Sequence, residues 1–111
     1  MNQKPTLFIC HWNESSRNFL RLFFSQYKDK LEIIGECRNY SECQNWLQNN
    51  PADFVIIALP VDVMDSEYLL EILAEQFPKT EFIGNSEAGA NKLVEFHQRI
   101  QAMAVPELEF A

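Results

Sequence analysis

The chain has 111 residues, 47% of them hydrophobic and 13% aromatic, with a formal net charge of −7. That length makes a single domain, 1–111, with a real core, and the apolar content excludes a disordered tail. Sixteen acids against nine Lys and Arg disfavour nucleic acid and membrane surfaces as partners, and neither a membrane span nor a secretory signal is visible, so a cytoplasmic protein is expected.

Residues 7–11, LFICH, form an apolar run of strand length. Asn13, Glu14, Ser15 and Ser16 then offer caps to an amphipathic helix with Phe19, Leu20, Phe23, Phe24 and Tyr27 on its inner face. A second strand is predicted over 31–36, closed by Gly35 and polar residues. Ser41-Glu42-Cys43-Gln44 matches a capping box, and behind it Cys43, Trp46 and Leu47 face inward until Asn49-Asn50-Pro51 stops the helix. The third strand, 54–59, is apolar throughout, as a central parallel strand covered on both faces should be. Asp65 or Ser66 caps a third helix carrying Leu69, Leu70, Leu73 and Phe77. A fourth strand follows over 80–84, then a helix from about Glu87 to Met103 with Leu93, Val94, His97 and Ile100 inward. Residues 105–111, VPELEFA, supply a short fifth strand.

Regular alternation with short connections implies right-handed crossovers and a parallel sheet covered by helices on both faces. The expected class is α/β, a three-layer sandwich with about five strands. Cys10, Cys37 and Cys43 have neither CxxC nor zinc-type spacing and are expected to be free buried thiols, with no metal and no cofactor. His11, beside Cys10 but on the opposite face of its strand, is expected to be hydrogen-bonded rather than a metal ligand. No glycine-rich phosphate loop and no Ser/Cys–His–acid arrangement appears, so no enzymatic activity is expected.

This order, length and set of loops resemble the receiver domain of response regulators, a CheY-like, flavodoxin-like fold of strand order 2-1-3-4-5. Receivers carry a phosphorylatable Asp at the end of a strand, with a Met-Asp-Gly helix start six to eight residues later. Here Ala58 is followed at those offsets by Met64, Asp65 and Ser66, and YLLEIL stands where the family has a leucine-rich helix. Asp53 falls where an upstream aspartate opens that strand, and Arg17 matches an arginine of the first helix. The same alignment puts His11 and Trp12 on the acidic pair that would hold Mg²⁺, and Asn85, or Ser86 one register on, at the hydroxyl that contacts the phosphoryl group.

Phosphoryl transfer needs a carboxylate and a metal held by oxygen ligands; alanine, imidazole and indole supply neither. The resemblance therefore implies a degenerate pseudo-receiver, a regulatory module that binds another signalling protein without a phosphorylation switch. Its degenerate pocket positions are Ala58, His11, Trp12, Asn85 and Ser86. Trp12 is expected to plug the vacated pocket. Because the sequence ends near the expected fifth strand, the family's fifth helix is expected to be missing, leaving a bare sheet face that a homodimer or partner would cover. The competing function is a small-molecule binder or enzyme of the same fold, with its ligand at the carboxyl ends of the strands.

Overall fold

The computed structural model describes residues 4–59, 66–84 and 87–103. Within them β1 (Thr6–His11), α1 (Glu14–Ser25), β2 (Glu32–Cys37), α2 (Tyr40–Asn49), β3 (Phe54–Ala58), α3 (Ser66–Gln76), β4 (Glu81–Gly84) and α4 (Glu87–Ala102) follow one another. The strands form one parallel sheet in the order β2-β1-β3-β4. The α/β class and the expected order hold for these four strands; the fifth strand expected over 105–111 lies outside the described residues.

Side chains alternate across a strand, so successive residues of β1 serve different layers. Leu7 and Ile9 join Leu20, Phe24, Ile56, Ile83, Phe96 and Ile100 in one core. Phe8 and Cys10 join Cys43, Leu47, Val55, Ile57 and Leu73 in the other. Helices α1 and α4 thus cover one face and α2 and α3 the opposite one.

The position of α4 overturns the expected bare face. Phe96 and Ile100 are fully buried against the sheet, and the Phe96 ring packs on Phe24 and Phe54 with centroids 5.5 and 5.0 Å away. The Tyr27 hydroxyl lies 2.7 Å from His97 Nε2, and Lys30 Nζ donates to the Gln101 carbonyl at 2.9 Å. Arg99 reaches the edge of β4, pairing with Glu81 through both terminal guanidinium nitrogens and lying over the Phe54 ring. Handedness explains the difference. A right-handed crossover from β4 to a further strand beside it would place α4 with α3. Lying beside α1 instead, α4 closes the sheet, the role the resemblance assigned to a fifth helix, so that helix is not missing in effect. The homodimer expected from an uncovered face loses its premise.

Three local expectations also change. The buried stripe of α4 runs through Leu93, Phe96, His97 and Ile100, whereas Val94 is 56% exposed. Helix α2 begins earlier than the Ser41 box: the Asn39 side chain accepts the Glu42 N–H at 2.9 Å, and Glu42 in turn accepts the Arg38 N–H at 2.9 Å. The reciprocal logic is that of a capping box, but the asparagine two residues earlier has the extended backbone a cap requires. Gly35 does not end β2. It lies inside the strand at a register shift, where Leu7 pairs with Ile33 and Phe8 with Gly35.

Candidate functional site

In open parallel sheets ligands bind beyond the carboxyl ends of the strands. β1 delivers His11 to that edge and β3 delivers Ala58, and the two are register partners, both buried. The Asn13 N–H donates to His11 Nδ1 at 3.0 Å, and Arg17 Nη1 donates to the His11 carbonyl at 2.9 Å. Burial first, then the nearby Arg17 charge, holds the imidazole pKa below its usual range. With Nδ1 accepting, the ring is neutral and carries its proton on Nε2. The hydrogen-bonded histidine expected from the sequence is what the fold contains. Asn13 also caps α1, accepting the Ser16 N–H at 2.9 Å, so strand end, turn and helix start form one connected unit.

Trp12 is not a plug. Its side chain is 50% exposed, with the indole tilted 31° to the His11 ring at a centroid distance of 5.8 Å. Alternation turns it away from the His11 side, and Asn13 starts the cap of α1 immediately afterwards, so half of the indole stays in solvent. Trp12→Ala is accordingly expected to change stability by no more than about 0.5 kcal/mol in urea unfolding, as for an ordinary surface position. A loss of several kcal/mol would show the indole to be a core group after all.

Asn85 and Ser86, after β4, and residues 60–65, after β3 and including Asp65, lie outside the described residues. Asp53 stands at the opposite end of β3, where its carboxylate accepts from the Thr6 N–H at 2.8 Å and from the Thr6 hydroxyl at 3.2 Å. It staples β3 to β1 and takes no part in this edge.

The three cysteines are free and buried, as expected, but the fold gathers them. Their Sγ atoms all lie within 4.8 Å of one another. Cys10 and Cys37 are register partners at the ends of β1 and β2, and Cys43 lies in the first turn of α2, pointing into the same layer. The Asn39 carbonyl is 3.5 Å from Cys10 Sγ and 3.7 Å from Cys37 Sγ. Contacts among the three thiols lower the Cys37 pKa and raise that of Cys10. Motif spacing cannot reveal this cluster. The legible signal was that a cysteine stands at or next to the end of each of two adjacent strands, with a third cysteine one turn into the following helix.

No protein-family profile and no curated protein sequence matches the chain. Solved structures are similar. The two-component response regulator RcsB in its DNA complex aligns with a TM-score of 0.67 at 18% identity, over 85% of this chain and 50% of the regulator, so this chain spans half the length of that protein. The non-phosphorylated receiver domain of the stress response regulator RcsB from Escherichia coli aligns with a TM-score of 0.66 at 17% identity, over 86% of this chain and 77% of that one. The chain has a receiver-like fold. Among the described residues no helix is long and apolar enough to cross a membrane.

Proposed function

We propose that this chain is a pseudo-receiver, a non-enzymatic regulatory module that works by binding another protein without a phosphorylation switch. The observation that carries the reading is the pairing of Ala58 with a buried, neutral His11 at the sheet edge where a receiver needs carboxylates. A methyl group offers no nucleophile, and a neutral imidazole is a poor Mg²⁺ ligand. The likeness to receiver structures supports the scaffold side of the proposal.

Incubation with acetyl phosphate and Mg²⁺ is expected to leave the intact mass unchanged, and beryllofluoride with Mg²⁺ is expected to leave the amide NMR spectrum unshifted. Stoichiometric phosphorylation of an aspartate would overturn the reading.

The docking surface proposed is the outer side of α1 and α4. Phe19 and Leu22 are 63% and 64% exposed there, and Phe19 and Val94 border an apolar groove that also touches Phe23, Leu93 and His97. Large apolar side chains clustered in water mark interaction surfaces. The partner is a signalling protein, a second copy of this chain being the first to test. Sedimentation equilibrium at micromolar concentration is expected to show association that Phe19→Glu abolishes without lowering the melting temperature. Association unaffected by Phe19→Glu would place the interface elsewhere.

A further inference from the structure

We propose that Cys10, Cys37 and Cys43 form a binding site for one soft, thiophilic cation of low coordination number, Cu(I) being the ion that fits best. This site is independent of the docking surface and of the phosphoryl pocket, since the cysteines lie in the layer between the sheet and α2.

Geometry comes first. Three sulfurs bound at about 2.3 Å to one ion in a plane stand about 4 Å apart. The thiols already lie within 4.8 Å of one another, so closing on an ion needs less than about 1 Å of movement. The triangle is held by three elements, two adjacent strand ends and the first turn of a helix, so backbone pairing rather than side-chain flexibility sets its shape. Among the described residues, only the Asn39 carbonyl competes for the thiols, accepting weakly from two of them.

The donor set selects the ion. The cluster contains neither histidine nor carboxylate among the described residues. Zinc in structural sites takes four ligands and would be one short, while Mg²⁺ and Ca²⁺ require oxygen. Three thiolates alone suit Cu(I). Binding exchanges protons for metal: each thiol releases its proton to solvent, three Cu–S bonds form, and copper stays Cu(I) throughout. The complex carries negative charge, which is favoured near the N-terminal end of a helix, and Cys43 lies in the first turn of α2. Cys37, at the edge of the cluster and the least completely buried of the three, is the point of entry.

The test is an anaerobic titration of the reduced chain with Cu(I), buffered by a competing chelator. One equivalent is expected to bind, with a sulfur-to-copper charge-transfer band in the near ultraviolet. X-ray absorption at the copper edge is expected to give three sulfur neighbours at about 2.3 Å. Cys37→Ser, Cys10→Ser and Cys43→Ser are each expected to weaken binding by more than about a hundredfold, with circular dichroism confirming the fold of each variant. The absorption measurement on the unaltered chain needs no variant and so decides the matter even if a serine at a buried position unfolds the protein. Failure to compete with the chelator, copper held by fewer than three sulfurs, or Zn(II) bound as tightly as Cu(I) would each overturn the proposal.

Discussion

Phe96→Ala is expected to lower the unfolding free energy by about 3–5 kcal/mol, the cost of emptying a fully buried phenylalanine site. A domain of this size holds about 5–15 kcal/mol in all, so the variant should melt far below the parent or not fold. The reason is position rather than residue type. Phe96 is 1% exposed and stands between Phe24 of α1 and Phe54 of β3, so its ring joins α4 to both the sheet and the neighbouring helix. Val94→Ala on the same helix provides the contrast, since Val94 faces solvent and should cost no more than about 0.5 kcal/mol. Urea denaturation of the pair measures both. Equal, small effects would mean that α4 does not close the α1 face, and the uncovered-face reading would return.

Gly35→Val is the second large effect, with an expected loss of about 1–3 kcal/mol from overpacking. A Cβ built at Gly35 would stand 3.0 Å from Phe8 Cε1 and 3.3 Å from Trp46 Cζ2. Those two rings are stacked, with centroids 4.1 Å apart and planes 16° from parallel, and Phe8 is fully buried beneath the sheet's second layer. The added methyl groups must push the stack apart or bend β2 at its register shift. Trp46 reports which: its fluorescence should change with the substitution. A second substitution, Phe8→Leu, should recover part of the loss because the two sites share one volume. Full stability in Gly35→Val would show that the close approach of Phe8 and Trp46 is not what the glycine serves.

Much of the architecture was legible before any coordinates. Apolar runs at 7–10 and 54–59 read as interior strands, because a segment hydrophobic at every position must be covered on both sides. The alternation of strands with helices then set the class and the parallel order, since right-handed crossovers leave few alternatives. The resemblance to receivers placed His11 and Ala58 at one sheet edge, and the fold makes them register partners. Local patterns failed where two neighbours competed for one role. Both Asn39 and Ser41 can cap a helix, and only the extended backbone at Asn39 decides between them. Trp12 was read as buried from its size, but burial depends on what stands opposite, and the turn into α1 leaves half of it in water.

By itself the sequence determined the order of elements, their approximate spans and the inward faces of α1 to α3 in outline, apart from Phe19, which is 63% exposed, all of them consequences of periodicity and side-chain type. Only the tertiary structure decided which face α4 would take, because amphipathic spacing says that a helix has a buried side but not which side of a sheet it covers. It also decided that Cys10, Cys37 and Cys43 meet. Their separations along the chain carry no trace of that meeting, which arises from the parallel pairing of β1 with β2 and the immediate return of the chain into α2.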